Sequence, residues 1–194
     1  MSAVLEAPGK VPKMRLLSVE IYDSMIKNGI LNENDNVELL NGAIIEKMPK
    51  GTRHTSANTF ITRFFYRFLG EQAVIRVQDP IRLDEFSELE PDVVLARLPI
   101  ERYSLKHPTP EDILLIIEVS DTTLYFDRHD KAAAYSRNGI EQYLIVNVEN
   151  NTIEDYRKPG ADGYQSKQTY EIGDKISLIH FPELEIAVED FLQN

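Results

Sequence analysis

Cysteine is absent from the 194 residues of this sequence. Its absence excludes disulfides, thiolate metal sites and a cysteine nucleophile, so thiol redox chemistry is excluded as well. A reducing compartment is the simplest setting for such a chain. We therefore expect a cytoplasmic protein.

Long apolar runs are also missing. No run approaches the roughly 20 residues that span a bilayer. The first residues, MSAVLEAPGKVPKMRLL, mix charges, glycine and prolines and lack the apolar block of a secretion signal. We expect a soluble protein that is not exported and has no membrane partner.

Positive charge is scarce, since 21 lysines and arginines stand against 32 acids, for a net charge of −11. Such a field repels polyphosphates unless basic residues gather locally or metal ions intervene, which argues against a general nucleic-acid coat protein. The charge is uneven, however. Five arginines and only two acids lie between Arg53 and Arg82. The acids that follow, over residues 84–90, are interpreted as a solvated loop.

Several common catalytic motifs are not found. The sequence has no glycine-rich phosphate loop, no zinc-ligand spacing and no nucleophile elbow. His107, His129 and His180 have no partners at ligand spacing. Any chemistry therefore has to come from carboxylates, lysines or the remaining histidine.

The hydrophobic periodicity predicts an α+β fold, with a mixed sheet flanked by helices. Residues 1–15 are expected to form a flexible tail and residues 16–194 a single domain. We predict helices over residues 19–28, 52–69 and 127–138. We predict a hairpin around Asn41-Gly42 and strands over residues 73–83, 93–96, 113–119, 142–148 and 152–157, followed by short C-terminal strands.

Glu118 is the most informative single residue. It lies near the end of an otherwise apolar run, Ile-Leu-Leu-Ile-Ile-Glu-Val, where a central strand leaves the core. An unpaired carboxylate there costs several kcal/mol unless a cation or a raised pKa compensates. A strand-end glutamate paired with an arginine is an equally good account of this residue alone.

Asp92 has the same character, because it follows Pro91 and opens the buried strand over residues 93–96. If the two strands are adjacent, Asp92 and Glu118 lie at one end of the sheet. Their oxygens would then form a binding site of hard ligands for Mg²⁺ or Mn²⁺. By itself a Pro-Asp pair is a weak signal, since it is common in turns.

Lys131 supplies a third element. In a helix that begins after a capping Asp127, Lys131 shares a face with Tyr135 four residues later. Its ammonium would then point back at the end of the sheet. For an isolated lysine, an ordinary surface position is the usual alternative.

Three segments together carry a family resemblance: VELLNGAIIEKMP, PDVVLA and EVSDTTLYFDRHDKAAAYSRNGIEQYLIVNVEN. They resemble the Uma-two family of restriction-endonuclease-like proteins, whose fold is similar to that of the PD-(D/E)xK nucleases. The likeness extends over residues 37–156 and more loosely to the C-terminus.

The resemblance implies a four-stranded mixed sheet with Asp92 and Glu118 as metal ligands. In the superfamily signature a lysine stands two residues after the glutamate, where this chain has Ser120. The family pattern implies that the helical Lys131 takes over that vacant place. Ser120-Asp121 and Val146-Asn147-Val148 depart from the usual family residues, but the three proposed catalytic positions are unaffected.

Glu38 and His54 are supporting candidates. Across the two-residue turn Glu38 faces Ile45 on an otherwise apolar side, and the family keeps an acid there, which implies a supporting or additional metal role. His54 lies on the apolar stripe of its helix. A buried, hydrogen-bonded histidine is the favoured interpretation over a metal ligand.

Together these residues predict a metal-dependent endonuclease that hydrolyses phosphodiester bonds in DNA. Asp92 and Glu118 would hold Mg²⁺ or Mn²⁺, and Lys131 would orient a water or stabilise the transition state. A homodimer is expected, because it allows both strands to be cut. The alternative is a nuclease fold that has lost turnover and acts as a nucleic-acid-binding or regulatory module.

Overall fold

The computed structural model describes residues 15–32 and 34–192. Its helices are α1 Val19–Lys27, α2 Thr52–Leu69, α3 Leu124–Phe126, α4 Ala132–Arg137 and α5 Val188–Phe191. Its strands are β1 Val37–Leu40, β2 Ala43–Glu46, β3 Val74–Val77, β4 Ile81–Asp84, β5 Ser87–Leu89, β6 Val93–Ala96, β7 Ile113–Ser120, β8 Gln142–Asn147, β9 Thr152–Arg157, β10 Ser166–Tyr170, β11 Lys175–Ser177 and β12 Glu185–Ala187. The expected tail, residues 1–15, lies outside the described residues except for Arg15.

The main sheet has six strands in the order β10-β9-β8-β7-β6-β3. Within the part of the chain that the structure describes, only β7 and β8 pair in parallel, and the helical segment between them forms the crossover. The predicted mixed sheet flanked by helices is confirmed. Two further strands extend the four that the family resemblance implied.

Apolar cores lie on both faces of this sheet, which explains why β7 reads as a continuous apolar run. On one face α2 and α5 contribute Phe65 and Phe191 to the core. On the other face Tyr135 of α4 packs with Ile116 of β7. Full burial of one such side chain contributes roughly 1.5–3 kcal/mol.

A second, four-stranded sheet has the order β2-β1-β5-β4. The predicted hairpin turn is confirmed: Asn41 and Gly42 have φ values of 52° and 77°, as a type I′ turn requires. Gly42 is required for space as well, because a Cβ there would lie 2.5 Å from the Leu16 Cβ.

Two predictions for the segment before β6 are wrong. Residues 73–83 do not form one interrupted strand, because β3 joins the main sheet and β4 the small one. Residues 84–90 are not simply a solvated acidic loop either. They include β5, whose Glu88 is only 7% exposed, because pairing with β1 and β4 carries the segment inward.

The helices agree with the predictions to different degrees. α2 has the predicted bounds, and α1 ends one residue before the predicted end. The predicted helix over residues 127–138 instead begins three residues earlier, at Leu124. Within the described residues, no helix is long and apolar enough to cross a membrane.

Candidate active site

A cleft of about 430 Å³ lies at the edge of the main sheet where β6 begins and β7 ends. These strands are antiparallel, and Val93 pairs with Ile117. The residue before β6 and the residue after Ile117 are therefore neighbours. These two residues are Asp92 and Glu118, and both line the cleft.

Asp92 is 6% exposed and accepts several hydrogen bonds. Its Oδ2 accepts the Val119 amide at 2.9 Å and lies 3.0 Å from the His54 Nε2. Its Oδ1 accepts the Gln78 side-chain amide at 3.1 Å. Burial alone would raise the pKa of Asp92, but the contacts with His54 and Val119 outweigh burial and lower it. Asp92 is therefore an ionised carboxylate.

Glu118 is 3% exposed, and its Oε1 accepts hydrogen bonds from the Lys131 ammonium at 2.9 Å and the Tyr135 hydroxyl at 2.7 Å. Burial, together with the charges of Asp92 and Asp127, raises the pKa of Glu118 to about 8 despite the opposing Lys131 ammonium. Burial also acts to lower the pKa of Lys131, but Glu118 and other acids raise it overall, so the lysine stays protonated.

A π-helical turn, Asp127–Lys131, places this lysine. Such turns are rare and occur frequently at functional sites. The turn follows α3, so Asp127 is not the N-cap that the sequence predicted. It lies inside the helical segment, is 2% exposed, and accepts the Thr123 hydroxyl at 2.7 Å. Its carboxylate therefore lines the cleft.

The two supporting candidates line the same cleft. The Glu38 Oε1 lies 3.5 Å from the Lys131 ammonium, and its Oε2 accepts the Glu90 amide at 3.2 Å. His54 is buried, and its Nε2 lies 3.0 Å from the Asp92 Oδ2. All five residues singled out in the sequence are thus brought together.

Sequence reasoning missed other residues that line the cleft or contact its carboxylates. Tyr135 was used only to define a helix face, although its hydroxyl binds Glu118. Gln78 and Lys50, which lies 3.9 Å from Asp92, carried no recognisable signal. Asp127 could have been identified by the argument used for Glu118, an acid beside buried apolar residues, if the predicted helix had begun before Asp127.

The donor set fits a hard divalent cation. Among the described residues the cleft is lined by seven carboxylates but only three lysines. No three histidine or acidic side chains of the described residues converge into a complete metal cage. Mg²⁺ is usually bound through one or two carboxylates together with waters and substrate phosphates, so a two-carboxylate site is consistent with it.

The chain belongs to the Uma2 family, the Uma-two family of the sequence resemblance. The family model, described as a putative restriction endonuclease, matches residues 19–189. A solved structure described as a putative nuclease belonging to DUF820, from Anabaena variabilis ATCC 29413, has the same fold, with a TM-score of 0.68. It is 14% identical and covers 90% of this chain and 97% of its own. No curated protein matches.

Proposed function

We propose that this cleft hydrolyses phosphodiester bonds in DNA with a divalent cation, Mg²⁺ or Mn²⁺, held by Asp92 and Glu118. The observation that supports the proposal is the buried Lys131 ammonium, 2.9 Å from Glu118 in the cleft that Asp92 and Glu118 both line. A bound cation would polarise the scissile phosphate and lower the pKa of a water.

The protein's own groups have separable tasks. Lys131 presents a permanent positive charge that can orient the attacking water or stabilise the charge on phosphorus in the transition state. His54 and the Val119 amide hold Asp92 ionised. The Tyr135 hydroxyl fixes one oxygen of Glu118. Lys131 is attached to a helix rather than to β7, and this suffices because only the position of its ammonium matters.

Exposed arginines on α2 support DNA as the substrate. Arg53, Arg63 and Arg67 are exposed, and none forms an ion pair with an acid of the described residues. Arg76 differs, because it lies 3.5 Å from Asp79. From Arg53 to Arg67 the helix rises about 21 Å, which matches about six base pairs. A second copy of the chain would allow both strands to be cut.

The test measures, for wild type and three variants, the cleavage of DNA with Mg²⁺ or Mn²⁺ and the shift of Tm that each cation causes. Binding at 100 times Kd stabilises the folded state by about 2.7 kcal/mol, so wild type should melt several degrees higher. Asp92→Asn and Glu118→Gln should lose cleavage and most of the shift. Glu154→Gln removes a buried carboxylate outside the cleft and should keep the shift, whatever its own Tm. Equal shifts in all four proteins would contradict the proposal.

The alternative function is a nuclease-fold module without turnover. Ser120 in the usual lysine position and the acidic surface are the features that favour it. A cation-dependent rise in Tm together with DNA binding, but no cleavage of single-stranded or duplex DNA with either metal, would support this module instead.

A further inference from the structure

An exposed tyrosine stands at the rim of the cleft. Tyr125 is 75% exposed and lines the same cleft as Glu118 and Lys131, which form its buried floor. Phe126 and the exposed Met48 also line it. An acidic floor under an aromatic and aliphatic rim can contact both the charged and the apolar parts of one ligand.

The Tyr125 ring is held in position from one side. The His129 ring stacks on it with a centroid distance of 4.2 Å and an interplanar angle of 27°. His129 is fixed in turn, because its Nδ1 lies 2.7 Å from the Tyr125 carbonyl oxygen. With one face covered and three quarters of the side chain exposed, the ring offers its other face to a ligand.

We infer that Tyr125 stacks on an unpaired nucleobase beside the scissile phosphate, so that the preferred substrate is DNA with unpaired bases at the cleavage position. This inference rests on the proposed function. In a duplex both faces of a base are already stacked, whereas an unpaired base has a free face for an aromatic side chain. The floor of the cleft would hold the phosphate while the rim holds its base.

The recognition expected from this geometry is tolerant of sequence, because every base has a π-face. The Tyr125 hydroxyl is not needed for stacking. Tyr125→Phe should therefore retain the preference for unpaired DNA, and Tyr125→Ala should lose it. Since the side chain is exposed, the Tm of both variants should stay close to that of wild type.

The experiment measures affinity and cleavage for three substrates: a single strand, its duplex, and a single strand of equal length and charge whose central nucleotides are abasic. Affinity is measured in the Asp92→Asn background and cleavage in the active protein. Wild type should favour the ordinary single strand about tenfold over the other two. Leu105→Ala, which removes a 99% exposed side chain outside both the cleft and α2, is the control.

The outcomes separate this inference from the proposed function. Cleavage with no penalty for the abasic strand, or with Tyr125→Ala equal to Leu105→Ala, would overturn the stacking role alone. A Tyr125-dependent preference in binding without cleavage by the active protein would overturn hydrolysis alone. Failure of every strand to bind would overturn both.

Discussion

Replacing Lys131 with methionine leaves an unbranched side chain that is one atom shorter, and it removes a buried charge from between two acidic side chains. The ammonium lies 2.9 Å from Glu118 and 3.5 Å from Glu38. At an effective dielectric constant of about 20, each pair contributes roughly 5 kcal/mol of Coulomb attraction when its carboxyl group is ionised. Desolvation of the ammonium offsets part of this, and breaking a buried pair typically costs about 3–5 kcal/mol. Because this cost is a large fraction of a usual folding free energy, Tm should fall by roughly 10 °C.

The pH dependence of this loss identifies its cause. Without the ammonium, the pKa of Glu118 rises further above its unfolded value of 4.5. An acidic group whose pKa is raised on folding makes the folded protein less stable as pH increases from the unfolded pKa to the folded pKa. Up to the wild-type folded pKa of about 8 both proteins lose the same stability, and above it only Lys131→Met continues to lose stability. The Tm deficit of Lys131→Met should therefore be larger at about pH 9.5 than at about pH 7, as measured by thermal unfolding without metal.

A double variant and an activity assay complete this test. Adding Glu118→Gln to Lys131→Met removes one stranded carboxylate and should recover part of the lost Tm, a non-additivity expected for directly interacting residues. Cleavage should be lost in Lys131→Met at temperatures where it is folded. A deficit that is the same at both pH values, or strictly additive Tm changes, would refute the electrostatic reasoning. Full activity of Lys131→Met would refute its catalytic role.

Two further predictions concern other parts of the fold. Burial, with the charge of Asp23 adding to it, raises the pKa of Glu88 from 4.5 to about 7, so folding stability should fall between these pH values. Glu88→Gln should remove this pH dependence and stabilise the protein by about 2 kcal/mol at pH 8, allowing for partial solvent screening. Urea unfolding of both proteins at pH 5 and pH 8 measures this, and a wild type and variant that lose the same stability between the two pH values would contradict it. Replacing Arg63 and Arg67 by glutamine should reduce the slope of log K against log salt for duplex DNA by about 1.8, whereas Arg137→Gln, on the opposite face of the sheet, should not. An unchanged slope in the double variant would show that α2 does not contact phosphates.

Much of the secondary structure and the candidate site could be predicted from local patterns. The three- and four-residue spacing of apolar side chains gave the bounds of α2, and continuous apolar runs gave β6 and most of β7. Asp92 and Glu118 stood out because each is an acid beside such a run. These signals are strong because they are short-range: burial on a helix face or in a two-faced sheet constrains residues that are adjacent in sequence.

The tertiary structure decided which distant groups meet. The π-helical turn sets the position of Lys131, and no periodicity in the sequence predicts this turn. Burial of Glu88 depends on β5 pairing with β1, about 50 residues earlier in the chain. Likewise, the contact of Gln78 with Asp92 depends on β3 lying beside β6. Such partnerships depend on strand order and register, which local patterns do not encode. The sequence alone therefore determined most of the elements and the acids at their ends, while the packed sheet determined the cleft they form.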